Sequence, residues 1–310
     1  MADKVAILLS TYNGEQYLPE QIESIINQSN QTWELFIRDD GSTDQTLTIL
    51  KQYQSNPKIH WINENTPANR GVIGSFFELL QSVESDYYMF CDQDDVWLPE
   101  KVALTLAKMQ VIESQNQQQP ILVHTDLKVV DQDLEIKSES MIKTQGLDPQ
   151  ATFGRFLVQN SVTGCTVMIN QNLKDRCQNL DLNHIQMHDW WFALVASAFG
   201  KIGFVNQTTI LYRQHGNNQV GAKSSFNELM TRKHLFKKTK SMLQSAMDQA
   251  GEFVKQYPNL PADKVEIISF FQDVTQVSQV KRYQKLKKYG ILKSGFGRNA
   301  FYILQILTWS

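Results

Sequence analysis

Three aspartates, Asp92, Asp94 and Asp95, fall within four positions directly after the apolar run Tyr87 to Phe90. Like charges that close repel one another unless a cation lies among them, so the group reads as a seat for one hard divalent ion, Mg2+ or Mn2+, with oxygen ligands. In an extended backbone Asp92 and Asp94 would point the same way and leave coordination positions open for a diphosphate. A plain acidic surface loop is the alternative, and an apolar strand emptying into the cluster argues against it. His215, in Arg213-Gln214-His215, offers an imidazole as a further ligand, although a lone histidine is more often structural.

A second acidic pair, Asp39 and Asp40, lies in Arg38-Asp-Asp-Gly-Ser-Thr-Asp44. A carboxylate there can accept the N3–H of a uracil or thymine ring, and Gly41 lets the backbone come close to a ligand. Thr43 and Asp44 read as caps of the helix that follows. Ser10 to Glu15, with Thr11, Tyr12, Asn13 and Glu15, offers polar side chains and a helix N-terminus to a nucleotide. The same stretch also reads as a bare turn in which Asn13 and Gly14 supply the backbone geometry. Asp189 opens the apolar helix Trp190 to Phe199, where a helix cap and a general base are equal readings.

Positioning these groups requires strands that end at them. Candidate strands are Val5 to Leu9, Glu34 to Arg38, Ile59 to Ile62, Tyr87 to Cys91, Ile121 to His124, Thr166 to Ile169 and Thr209 to Tyr212. Helical faces alternate with them: Leu18, Ile22, Ile25 and Ile26; Leu47 and Leu50, capped by Thr43; and, after Pro99, Val102, Leu106 and Met109. Alternation of this kind predicts an α/β fold with a sheet flanked by helices, and such sheets bind ligands at the carboxyl ends of their strands.

Composition narrows the classes further. The chain has 310 residues, 42% hydrophobic and 20% charged, enough for a substantial core and too apolar for disorder. Walker-type, G-x-S-x-G and H-E-x-x-H patterns are absent. Cys91, Cys165 and Cys177 form no zinc or disulfide pattern and read as reduced thiols. Val5 to Leu9 is too short for a signal-peptide core, which places the protein in the cytoplasm. Residues 1–222 carry a net charge of −11 and residues 223–310 carry +9. The expected organisation is therefore a catalytic domain over 1–222 and a helical basic region over 223–310. That region suits an anionic membrane surface or a homodimer contact, and the apolar stretch Ala300 to Trp309 suits either an interfacial helix or one docked on the core. Its aromatics do not interleave with basic residues as nucleic-acid recognition requires, so that role ranks last.

In their order along the chain, S-T-Y-N-G, R-D-D-G-S-T-D, N-R-G at Asn69 to Gly71, D-Q-D-D-V-W, H-D-W-W and Y-R-Q-H resemble the family 2 glycosyltransferases of the GT-A fold. The likeness covers residues 5 to 215. I-R-D-D-G-S, C-D-Q-D-D-V-W-L-P, H-T-D-L-K-V-V-D, S-M-I-K-T-Q, N-S-V-T-G and L-Y-R-Q-H are similar, more narrowly, to rhamnosyltransferases of bacterial rhamnose-rich polysaccharides. The resemblance implies that Thr11, Tyr12, Asn13, Glu15 and Asp40 line the nucleoside site. It adds Asp39, Arg70 and Asp92 to the donor-binding set. Asp92 and Asp94 would be the D-x-D pair, Asp94 touching the metal with Asp95 and His215 close by. Asp189 would stand at the catalytic base, and Gly164 would let the backbone approach the reacting sugars. Cys91 departs from the narrower pattern, where serine is usual.

The activity so implied is inverting, metal-dependent transfer of L-rhamnose from dTDP-L-rhamnose to a lipid-linked saccharide at the inner face of the plasma membrane. A UDP-hexose donor is the second reading, and a sugar-nucleotide-binding subunit without turnover is the third.

Overall fold

Alternation along the first strand sets the layering: Val5, Ile7 and Leu9 enter one apolar core, Ala6 and Leu8 the other. The computed structural model describes residues 3–64, 68–215 and 232–309. The first half runs β1 (Val5–Thr11), α1 (Leu18–Ile26), β2 (Trp33–Asp39), α2 (Thr46–Tyr53), β3 (Ile59–Trp61), α3 (Gly71–Ser82), β4 (Tyr87–Cys91), β5 (Val96–Trp97) and α4 (Lys101–Gln115). It continues through β6 (Ile121–Val130), β7 (Ile136–Ser138), α5 (Met141–Gln145), α6 (Phe153–Phe156), β8 (Val167–Asn170), α7 (Gln171–Arg176), α8 (His188–Phe199) and β9 (Lys201–Arg213). Four helices follow: α9 (Arg232–Gln256), α10 (Ala262–Gln272), α11 (Gln279–Lys288) and α12 (Phe296–Thr308).

The strands form one mixed sheet in the order β3-β2-β1-β4-β8-β6-β9-β5, with β7 on β6. β1, β2, β3 and β4 are parallel, and β8 runs antiparallel between β4 and β6. The α/β expectation is met, and all seven expected strands are present.

Two strands run further than their apolar residues suggest. β6 extends beyond His124 because β9 pairs with it through Arg213, and the register shifts around Asp126 let polar residues stay in the ladder. β5 is two residues long and exists through its antiparallel pairing with β9. At α2 the expectation for Thr43 fails. The helix begins at Thr46 behind Gln45, and it is Asp44 that accepts the Thr46 N–H, at 3.0 Å.

The C-terminal helices share the larger core. Leu243, Ala246, Met247, Ala250 and Phe253 recur at helical spacing on α9 and are buried with Trp191 and Phe192 of α8. The Trp191 indole meets the Phe253 ring at 5.2 Å and donates to the Tyr257 hydroxyl at 3.2 Å. On α12, Tyr302 and Ile306 are buried, which is the docked alternative for the last apolar stretch. Buried Arg282 of α11 donates to carbonyls at Thr275, Ile306 and Trp309 and so closes the end of α12. The boundary expected near residue 222 lies outside the described residues.

One close approach joins α6 to the end of α11. A Cβ on Gly154 would lie 1.9 Å from the Tyr289 carbonyl oxygen, backbone that cannot yield without moving α11. Gly154→Ala should lower stability by about 1–3 kcal/mol or more. A urea-unfolding midpoint equal to wild type would show that α11 is not held by this contact.

Candidate active site

Loops after β1 and β2 are stitched together by side chains that the sequence offers for ligand binding. Asn13 adopts a left-handed backbone, φ +47°, and its Oδ1 accepts the Thr43 N–H at 2.8 Å. Ser42 Oγ accepts the Asn13 N–H, and Glu15 accepts the Gln45 N–H, both at 2.8 Å. Asp39 is fully buried and bonds the Gly41 and Ser42 N–H groups and the Ser42 hydroxyl, so its carboxylate shapes its own turn.

Asp40 is also buried. Its carboxylate takes Arg38 Nη1 and the Arg70 N–H at 2.6 Å and the Gly71 N–H at 2.9 Å, at the start of α3. These charge-assisted contacts fix its orientation. The Arg70 side chain is 61% exposed and leans on Glu78, so Arg70 reaches this cluster through its backbone.

The acidic segment departs from the expected extended backbone: residues 93 and 94 form a turn between β4 and β5. Gln93 causes it. Its Oε1 accepts the Thr11 hydroxyl at 2.6 Å and the Tyr12 N–H at 2.8 Å, while its Nε2 donates to the Tyr12 carbonyl at 3.0 Å. A Cβ on Gly14 would lie 2.3 Å from Gln93 Oε1, which explains that glycine. The turn separates the aspartates. Asp94 pairs with His215 at 2.8 Å, whereas carboxylate oxygens of Asp92 and Asp95 and the Cys165 thiol lie within 4.8 Å of one another.

Asp95 accepts the Arg213 N–H at 3.1 Å through Oδ1 and has the Cys165 thiol as a neighbour, and among the described residues its buried Oδ2 meets no nitrogen or oxygen donor. A buried carboxylate oxygen left in that state, beside Asp92, suits a hard cation; burial pushes the Cys165 thiol well up, so it is a poor donor to such an ion. The residues present fit Mg2+ or Mn2+. Arg213 also donates to the Asp94 carbonyl at 2.9 Å and to Glu20 at 2.5 Å, tying the turn to α1. Burial and the charges of Asp94 and Asp189 hold the Asp92 carboxyl above the usual range, which places Asp189 within electrostatic reach.

Asp189 does not cap α8. The helix begins at His188 behind Met187, and Asp189 sits inside its first turn, 6% exposed. Its Oδ1 accepts Asn160 Nδ2 at 3.1 Å, and the Asn160 amide is itself oriented by the Val162 N–H at 3.0 Å. A Cβ on Gly164 would lie 2.8 Å from His188 Nε2 and 3.6 Å from Asp189 Oδ2, so this glycine gives room to the start of α8. His188 is boxed by Phe76, Phe90 and Phe192 with neither ring nitrogen bonded, and burial pushes its pKa down to about 3.

The structure thus brings Asp92 and Asp95 together, turns Asp94 aside to pair with His215, and sets Gly164 beside Asp189. Thr11, Tyr12, Asn13, Glu15, Asp39 and Asp40 form the adjoining loop pair. Gln93, Asn160, Arg213 and buried Lys101 are the residues that sequence reasoning missed. Lys101 Nζ lies 4.4 Å over the Trp97 ring without a hydrogen-bond partner among the described residues, and burial lowers its pKa to about 8. A charged residue opening a helix gives no sign of being buried.

Burial pushes the Asp189 carboxyl up to about 7, partly offset by hydrogen bonds from Trp190, Gly164 and Asn160. A native pKa above the unfolded value favours the folded state below about pH 4, and that contribution is lost as pH rises through about 7. Asp189→Asn lacks this loss. In metal-free buffer its stability relative to wild type should therefore increase between about pH 4 and 7 and level off above. A pH-independent difference in urea midpoints would contradict the raised pKa.

Comparison with known proteins agrees with this geometry. The model of glycosyl transferase family 2 matches residues 6–147. A dTDP-rhamnosyl transferase, RfbG of Shigella flexneri, is 30% identical over 229 residues, 70% of this chain and 75% of that protein. TarS of S. aureus, solved with UDP-GlcNAc, is similar in fold with a TM-score of 0.57 at 18% identity, over 92% of this chain and 80% of that one. The Pyrobaculum calidifontis mannosyltransferase PcManGT, solved with GDP-Man and Mn2+, gives 0.51 at 12% identity over 98% and 88%. The mixed sheet flanked by helices is the GT-A architecture. With its acidic turn at the carboxyl end of β4 and a matching relative over most of its length, the chain belongs to glycosyl transferase family 2.

Proposed function

We propose that this glycosyltransferase moves L-rhamnose from dTDP-L-rhamnose to a saccharide acceptor with inversion at the anomeric carbon. The observation that carries the reaction is Asp189, a recessed carboxylate held by Asn160 with Gly164 leaving space beside it. The choice of donor rests on the narrower motif likeness and on RfbG.

Thr11, Tyr12, Asn13, Glu15 and Asp40 would receive the nucleoside, Asp40 accepting the N3–H that thymine and uracil share. In a single displacement the Asp189 carboxylate removes the acceptor hydroxyl proton while that oxygen attacks C1 from the face opposite the diphosphate. The C1–O bond to phosphate breaks, and the electron pair leaves with the nucleotide. Asp92, Asp94 and Asp95, with His215, would hold Mg2+ or Mn2+, which when bound offsets the negative charge of the departing diphosphate. Gly164 keeps the backbone beside Asp189 bare of a side chain.

A base must be ionised, so transfer should rise with pH to a plateau above about 7. Asp189→Asn should lose about 10²- to 10⁴-fold in turnover while still binding nucleotide. Near-full activity of that variant would remove Asp189 from the chemistry. Calorimetric titration with dTDP, UDP and GDP, each with and without Mn2+, tests the donor. Metal-dependent preference for dTDP is expected, with the metal dependence lost in Asp94→Ala. Preference for UDP would instead favour a hexose donor.

The acceptor in this reading is lipid-linked, met at the inner membrane face. No helix among the described residues is long and apolar enough to cross a membrane. Support comes from the basic charge of the C-terminal region and from Val280, Tyr283, Phe296 and Leu304, which α11 and α12 leave exposed, Phe296 at 93%. Deleting these helices would strip the core, so the double change Val280→Asp, Phe296→Asp is the cleaner test. It should reduce flotation with anionic liposomes; unchanged flotation would exclude membrane docking through this face.

A further inference from the structure

Apart from the acidic turn, a cleft of about 450 Å3 lies among α9, the end of α10, the segment before α8 and Trp309. That volume is in the range of small-ligand sites. Its walls are mostly polar: Gln244, Asp248, Gln272, Thr275, His184 and the Glu252–Lys255 pair, with the half-buried Trp309 among them. Met247 is the one aliphatic side chain among the lining residues.

Gly251 of α9 lines the cleft. Glycine in the middle of a 25-residue helix costs about 1 kcal/mol against alanine. Here a Cβ would stand 2.6 Å from Nε2 of the exposed Gln272 side chain, which approaches α9 at the cleft. Glu252 is buried, and its carboxylate is oriented by Gln256 at 2.8 Å and Lys255 at 3.2 Å. Gln244 in turn donates to Asp248 at 3.0 Å.

We propose that this cleft is a second carbohydrate site, which holds a neutral part of the saccharide chain that the enzyme extends. The chemistry selects the ligand class. Carboxylates and amides accept and donate to ring hydroxyls, and the Lys255 ammonium in the lining is already paired with Glu252. An indole face can cover the apolar face of a pyranose, a contact that at Trp309 would be shared with the Lys240 ammonium, 5.5 Å over the ring. Position agrees. His184 lines the cleft and Asp189 follows five residues later, so the two backbones are at most roughly 18 Å apart. A short oligosaccharide spans that separation. The Gln186 N–H donates to Gln249 Oε1 of α9 at 2.9 Å, so the connecting segment is anchored on the same helix.

This inference rests on the reading of the chain as a transferase that lengthens a saccharide, and the test separates the two. Saturation-transfer NMR and calorimetry on the full chain would use a panel of short neutral oligosaccharides, rhamno-oligosaccharides among them. Trp309→Ala should weaken binding about tenfold or more. Asp248→Ala, a change at an exposed side chain, should weaken it too in a protein with unaltered thermal unfolding. Both should raise KM for long acceptors and leave kcat with a monosaccharide acceptor unchanged. Asp189→Asn should abolish transfer and retain binding at the cleft. Oligosaccharide binding that persists without dTDP preference would sink the donor assignment and leave the cleft standing. No saccharide binding by a protein that binds nucleotide, or equal affinity in wild type and both cleft variants, overturns the proposal.

Discussion

Negative charge brought together at the carboxyl ends of β1, β2 and β4 is the constraint on which the site depends. Asp39, Asp40, Asp92, Asp94, Asp95 and Asp189 are all drawn out of bulk water to differing degrees, and a buried carboxylate without partners is costly. Three of them are met by different devices. Asp39 uses the N–H groups of its own turn, Asp40 uses Arg38 and the start of α3, and Asp94 uses His215. Asp92, Asp95 and Asp189 are the less compensated: burial raises the pKa of all three, and among the described residues a buried oxygen of Asp95 meets no nitrogen or oxygen donor. Those are the positions at which a cation and a mobile proton would act, and sites that are strained in this way are usual where chemistry is done.

Holding that arrangement falls to Arg213 and Gln93. Arg213, nearly fully buried at the end of β9, reaches the Asp94 carbonyl, Glu20 and the Gln132 carbonyl, and its guanidinium lies over the Tyr17 ring. Gln93 does the same between the β4 and β1 loops. A planar fork and a primary amide each make several bonds in fixed directions, so one side chain sets the relative position of two or three loops. Glycines complete the fit: Gly14 beside Gln93 and Gly164 beside His188 stand where a methyl group would displace a residue of the site.

The C-terminal helices belong to the same physical unit as the sheet in their packing. α8 carries Asp189 at its start and is apolar on nearly all sides, which only burial between two layers can satisfy. The sheet and α3 cover one side through Phe77 and Phe90, and α9 covers another through Phe253 and Tyr257. The helix that presents the candidate base is therefore held in place partly by residues far along the chain.

Much of this was legible in the residues alone. Apolar runs ending in D-D-G-S or D-Q-D-D fixed the strand ends and the acidic loci, because period-two alternation and turn chemistry are local properties. The ordered motifs also carried the family. Tertiary structure decided what local patterns cannot express. β5 and the long β6 exist through pairing with β9, and the turn at residues 93–94 exists through Gln93 bonding to a loop 81 residues earlier. Whether Asp189 caps a helix or is buried inside its first turn depended on Met187, Asn160 and Gly164. Hydrogen bonds and burial between distant segments set those outcomes, and sequence spacing holds no record of them.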